Sequence, residues 1–154
     1  MLCKSASKVF FALFFFLTLM MAPMTDSQAE TPADPENTIY MDTEHGRVVM
    51  ELRPDLAPNH VARIKELVRE GFYDGIVFHR VIGGFMAQTG DPTGTGTQGS
   101  GQKLNAEFSN EPHVRGTLSM ARAQSENSAD SQFFIVFARA PHLDGKYTVW
   151  GKVT

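Results

Sequence analysis

The sequence predicts a mainly β domain, a barrel or a sandwich, with one helix. Three features predict it. Short β-prone runs recur between turn residues, one segment has helical apolar spacing, and Gly90 to Gln102 holds five glycines and no large apolar side chain. At 154 residues the chain suits one domain. Its 42% hydrophobic content excludes a disordered solvating tail, and a net charge of -3 argues against an electrostatic nucleic-acid binder. The single cysteine excludes an intramolecular disulfide framework and a cysteine-based zinc site.

The first 29 residues read as an address. Lys4 and Lys8 precede an apolar run, Val9 to Met21, broken only by Thr18, and small and polar residues follow to Ser27-Gln28-Ala29. This is the layout of a secretory signal peptide, with cleavage expected between Ala29 and Glu30 and a periplasmic or secreted product. An uncleaved anchor is the alternative, because Val9 to Thr25 carries no charge; Pro23 and the small residues at the cut favour cleavage. Cys3 leaves with the leader, and a mature chain without cysteine suits an oxidising compartment. Residues 30–37, ETPADPEN, read as a flexible lead-in, and residues 38–154 as the folded domain.

Within that domain, Thr38 to Asp42 and Arg47 to Leu52 flank Glu44-His45-Gly46 as a hairpin. Ala57 to Glu70 places Val61, Ile64, Leu67 and Val68 on one helical face. Pro58 is tolerated in the first turn, Gly71 stops the helix, and Asp55 is a candidate cap. Ile76 to Ile82 reads as a strand, with Phe85 to Thr89 following Gly83-Gly84. Further strands are expected in Gly116 to Ala121, Ser131 to Phe137 and Tyr147 to Val153, where Trp150 reads as core.

Most motifs with chemical potential have a plainer reading. Gly94-Thr95-Gly96-Thr97-Gln98-Gly99 is a literal G-x-G-x-x-G, but Pro92 precedes it and no helical pattern follows, so it lacks the context of a nucleotide site. His45, His60, His79, His113 and His142 include no H-E-x-x-H pair and no evident carboxylate cluster, so a metal site is not expected. Ser119 lacks the G-x-S-x-G turn of a hydrolase, and the carboxylates show no glycosidase spacing. On a strand from Ile76 to Ile82, Phe78, Arg80 and Ile82 share one face. Alone, Arg80 reads as an edge-strand arginine whose stem covers apolar surface.

The surrounding sequence changes that reading. FHRVIGGFMAQTGDPTGTGTQGSG, GTLSMARA and SQFFIVFARAPHLDGKYTVWGKV occur in this order, and from about Thr38 to Val153 the chain resembles the cyclophilin family of peptidyl-prolyl cis-trans isomerases. Its short loops and leader resemble the bacterial periplasmic members. The resemblance implies a closed eight-stranded β-barrel capped by two helices, with the site on its outer surface. By motif position, Arg80 matches the catalytic arginine. Phe85, Met86, Phe134 and Leu143 match the proline pocket, Gln88 and Gln132 match polar residues lining the site, and Ala121 and Arg122 fall where the family binds the substrate backbone. Rotating an amide breaks no bond, so no nucleophile, metal or cofactor is implied.

Three departures stand out. His142 occupies the place of a tryptophan that binds cyclosporin in many eukaryotic members, which implies reduced drug sensitivity. Tyr147 replaces a histidine but can still border the pocket. Arg122 replaces an asparagine, and the added cation is expected to bias substrates towards acidic residues. The family also continues past the position of Thr154 with a second helix and barrel-closing sequence, so the domain is expected to be C-terminally incomplete. The implied partners are proline-containing polypeptides, with no nucleic acid, no membrane after cleavage, and a monomeric state. Two other readings compete: a non-catalytic module or chaperone that holds proline-containing segments, and a nucleotide-dependent oxidoreductase resting on the glycine loop alone.

Overall fold

The computed structural model describes residues 34–154; the expected leader, its cleavage site and the start of the lead-in lie outside the described residues. Within the expected lead-in, Pro35–Asn37 forms a single 3-10 turn, and the Asp34 carboxylate accepts from the Glu36 N–H. The mainly β expectation holds. Seven strands form one antiparallel sheet: β1 (Thr38–Thr43), β2 (Gly46–Leu52), β3 (Arg80–Ile82), β4 (Met86–Thr89), β5 (Thr117–Met120), β6 (Phe133–Val136) and β7 (Val149–Val153). The spatial order is β1-β2-β7-β5-β6-β4-β3, with β1 and β3 as the two edges among the described residues. One helix, α1 (Pro58–Arg69), accompanies it.

The β1–β2 hairpin pairs Thr43 with Gly46 across Glu44 and His45, and the Thr43 hydroxyl donates to the Gly46 carbonyl at 2.8 Å. In β6, Phe133-Phe134-Ile135-Val136 sends large apolar side chains to both faces, as a central strand covered on both sides requires. Phe133 joins Met50, Leu52, Val61, Ile64, Leu118, Met120 and Trp150 in the core beneath α1. Phe134 joins Met86, Val136, Ala140 and Leu143 on the other face. Trp150 is fully buried and meets Phe133 edge-on at 5.3 Å, as core packing demands.

Helix α1 begins with Pro58, and Gly71, two residues past its last residue, has a φ of +70° that suits glycine. Gly71 N–H donates to the Val68 carbonyl and Phe72 N–H to that of Leu67, closing the last turn. Val61, Ile64 and Leu67 are buried as their spacing predicts, joined by His60, while Val68 in the last turn is 38% exposed.

The expected Asp55 cap is corrected. Asp55 pairs instead with Arg53 at 2.7 Å, and no local side chain caps the helix. The Glu107 carboxylate does so from far along the chain, accepting from the backbone N–H of Asn59 at 3.1 Å and of His60 at 3.0 Å.

The strand expected over Ile76 to Ile82 shortens to Arg80–Ile82. The Val77 carbonyl accepts from the Thr89 hydroxyl at 3.0 Å, so a side chain holds this segment before ladder pairing starts at Arg80 opposite Gln88.

Candidate active site

Three parts of the fold converge on one groove of about 270 Å³. Strands β3 and β4 bring Arg80, Met86 and Gln88, with Phe85 in the turn between them. Strand β6 brings Phe134, and β5 runs directly into Ala121 and Arg122. A 3-10 turn at Pro141–Leu143 brings His142 and Leu143, and Tyr147 stands just before β7. Of the residues that the family resemblance assigns to the site, only Gln132 does not line this groove. It stands behind Gln88.

The floor is apolar and buried. Met86, Phe134 and Leu143 are 2%, 5% and 6% exposed. Tyr147 meets Phe134 edge-on at 5.8 Å, and Phe85 lies 5.4 Å from the His142 ring. These aromatic contacts fix the shape of a small apolar recess.

At its rim the Arg80 guanidinium makes one hydrogen bond, to Oε1 of Gln88 at 3.3 Å. No carboxylate pairs with it among the described residues. Gln88 donates onward to Gln132 Oε1 at 2.9 Å, and Gln132 donates to the Gln98 carbonyl at 2.7 Å. This directional chain points acceptor oxygens towards Arg80 and leaves most of its donors for an incoming group.

Gln98 belongs to the glycine-rich loop, whose organisation explains the literal G-x-G-x-x-G. Asp91 is fully buried at the centre of the loop. Its carboxylate accepts from the backbone N–H groups of Thr93, Thr97 and Gln98 at 2.8, 2.9 and 3.1 Å. Burial alone would raise this carboxyl's pKa, but those bonds and the Thr93 hydroxyl outweigh it and hold the group well below the usual carboxylate range. The N–H cradle that a phosphate would need is therefore filled by the chain's own anion. A Cβ on Gly94, Gly96 or Gly99 would lie 3.2 Å from Val77, 3.2 Å from His79 or 2.7 Å from Asp130. The glycines let the loop close against its neighbours.

A second polar network, without a sequence signal, lies beneath the groove. His113 contacts Asp144 through Nδ1 at 3.1 Å and Ser119 through Nε2 at 2.9 Å, and its ring stacks on Phe134 at 6.3 Å. The order Ser-His-Asp looks like that of a nucleophilic triad. Ser119 is fully buried, however, and its hydroxyl also donates to the Thr148 carbonyl at 3.0 Å, so no substrate reaches it. The network instead braces the turn carrying His142 and Leu143: Asp144 follows that turn, and Arg139 pairs with it. The Arg139 guanidinium and the His113 N–H hold the Asp144 carboxyl well below the usual range, while burial pushes the His113 imidazole down against the pull of Asp144. No group of three or more His, Cys, Asp or Glu side chains among the described residues is placed to hold a metal.

An apolar recess on an antiparallel sheet, with an arginine at its rim that pairs with no carboxylate among the described residues, can bind and polarise an uncharged group. Residues 38–154 match the model of the family described as cyclophilin type peptidyl-prolyl cis-trans isomerase/CLD, and the chain belongs to that family. A probable peptidyl-prolyl cis-trans isomerase of Brucella suis biovar 1 is 57% identical over 138 residues, covering 82% of this chain and 70% of the relative. Peptidyl-prolyl cis-trans isomerase B of Bacillus subtilis is 49% identical over 120 residues, covering 76% and 83%. Among solved structures, cyclophilin AquaCyp293 from Hirschia baltica superposes with a TM-score of 0.71 at 32% identity, over 79% of this chain and 65% of that one. A Cryptosporidium parvum cyclophilin, crystallised in the presence of the dipeptide Ala-Pro, gives a TM-score of 0.73 at 35% identity, over 76% and 78%.

Proposed function

We propose that this groove binds proline-containing polypeptide segments and accelerates cis-trans rotation about their X-Pro bonds, assisting protein folding. The observation that carries this reading is the Arg80 guanidinium, held by one hydrogen bond at the rim of a buried apolar recess. Presence of an Ala-Pro dipeptide with the Cryptosporidium relative supports the substrate class.

The chemistry follows from the amide. Rotation is opposed by resonance, with a barrier of roughly 20 kcal/mol, and uncatalysed exchange takes on the order of 10 to 100 seconds. In the twisted transition state the nitrogen loses conjugation and becomes a hydrogen-bond acceptor. The Arg80 guanidinium, always charged and rich in donors, serves that nitrogen only when it is pyramidal. Met86, Phe134 and Leu143 receive the proline ring, with Phe85 and His142 at its side, and exclude water so that the contact strengthens. Main-chain groups at Ala121 and Arg122 hold the substrate backbone while the bond turns. A rate gain of roughly 10⁵-fold corresponds to about 7 kcal/mol. One charged hydrogen bond contributes about 1.5–3 kcal/mol, so desolvation and backbone clamping supply the remainder.

Export to the periplasm is part of the same proposal, supported by the basic, apolar and small-residue order of residues 1–29. So is action as a monomer without nucleic acid, for which the net charge of -3 is the support. The test is NMR exchange spectroscopy on an Ala-Pro peptide with and without the protein. Catalysed exchange supports the isomerase reading; peptide binding without faster exchange leaves the non-catalytic binding module.

A further inference from the structure

The side of the groove built by Arg122 and Tyr147 is tied together in an unusual way. Arg122 stands on the segment leaving β5, and Tyr147 on the segment entering β7. Nε and one terminal nitrogen of Arg122 both donate to the Lys146 carbonyl, at 3.2 and 3.1 Å. The other terminal nitrogen donates to the Ala123 and Gln124 carbonyls, at 3.1 and 3.2 Å. The guanidinium plane also covers the Tyr147 ring, its carbon 4.7 Å from the ring centroid. One side chain thus joins two segments through three carbonyls and an aromatic face.

We infer that Arg122 is a positioning residue that holds the Tyr147 wall of the groove in place for substrate binding, and not a cation offered to acidic substrates. This rests on the isomerase reading above. A guanidinium has five N–H donors, and four hydrogen bonds to main-chain oxygens occupy most of them. Pairing with a substrate carboxylate at this solvated rim would give up several of those bonds for an ion pair worth about 0–1 kcal/mol. Tyr147 in turn meets Phe134 edge-on at 5.8 Å, so Arg122, Tyr147 and Phe134 form a continuous run of contacts from the rim to the pocket floor. Lysine cannot replace this: a point charge on a flexible stem has neither the planar fork nor the stacking face. The bias towards acidic residues expected from an added cation gives way to tolerance of acidic, neutral and basic residues before proline.

The test compares the full chain with Arg122→Asn and Arg122→Lys on three X-Pro peptides carrying Glu, Ala or Lys before proline. Tyr147 ring signals are followed by NMR in the same samples. Both variants are expected to raise KM roughly tenfold, by a similar factor on all three peptides, with kcat changed less than about twofold. The Tyr147 signals should shift and average. A lysine variant that matches wild type, or a loss confined to the Glu peptide, would show that charge is what matters and overturn the inference. If the asparagine variant does not fold by circular dichroism, Arg122→Lys carries the comparison. A wild-type protein without turnover would remove the isomerase reading. The strap would then be judged on the Tyr147 signals, and their being unchanged in both variants would overturn it.

Discussion

Gln88 donates its side-chain amide to Gln132 at 2.9 Å, and this contact connects Arg80 to the glycine-rich loop. Gln132 is anchored in turn on the Gln98 carbonyl, so two glutamines link Arg80 to that loop. Replacing Gln132 by leucine breaks both links without entering the groove. We expect kcat to fall roughly tenfold, about 1.4 kcal/mol of transition-state stabilisation, with KM changed less than twofold. Steady-state exchange kinetics check this; an unchanged kcat would show that Arg80 needs no such support.

Glu107 joins the start of α1 to the rest of the domain. Besides the two backbone N–H groups it caps, its carboxylate accepts from Asn59 Nδ2 at 2.7 Å and contacts His60 Nδ1 at 2.6 Å. Glu107→Ala strands a fully buried histidine and two helix N–H groups. The expected cost is about 2–4 kcal/mol in urea unfolding, whereas Asp55→Ala should cost less than about 0.5 kcal/mol. Equal effects would contradict the capping assignment.

Acid should weaken the fold in two stages. His113 is held below its ordinary value of about 6.5, so its contribution is complete above that pH and lost as the pH falls through the lower, folded value. Asp91, Asp144 and Glu107 are held below the carboxylate range, so their contributions are complete above about pH 4.5 and lost below it. Thermal unfolding across pH 8 to 3 reads both stages. A transition temperature that rose on acidification would contradict the sign.

Gly90 separates close approach from backbone conformation alone. It has φ of +91°, and a Cβ there would lie 2.4 Å from the Ser131 carbonyl oxygen. Gly46 has φ of +122° with nothing within 4 Å. Gly90→Ala should cost more than about 3 kcal/mol and Gly46→Ala roughly 1–2 kcal/mol, read from paired denaturation curves. Similar costs would mean that the loop yields freely at Ser131.

The strands are legible because β-branched and aromatic runs end at glycine, proline and polar turns; β5, β6 and β7 fall inside the expected runs. The start of β3 was not, because the Val77 carbonyl is taken by the Thr89 hydroxyl, a contact no periodicity records. The groove residues were legible only as long motifs in a family's order, since Arg80 by itself had an ordinary surface reading. Glu107, Asp91 and the His113–Asp144 pair were missed for one reason. Each acts through partners that no side-chain pattern records: Glu107 meets His60 from 47 residues away and Asp144 meets His113 from 31, while Asp91 takes main-chain N–H groups of its own loop. The fit of the loop glycines against Val77, His79 and Asp130 is likewise set by tertiary packing and has no sequence signal.

In the mechanism proposed above, the Arg80 guanidinium stabilises the twisted amide. The most direct measurement compares catalysed X-Pro exchange by wild type, Arg80→Ala and Arg80→Lys, with peptide affinity measured on the same samples. The expected result is a fall in kcat of roughly 10²-fold or more for the alanine variant and partial recovery for lysine. Peptide affinity and the thermal transition should stay close to wild type. An alanine variant that binds and turns over as wild type does would contradict it.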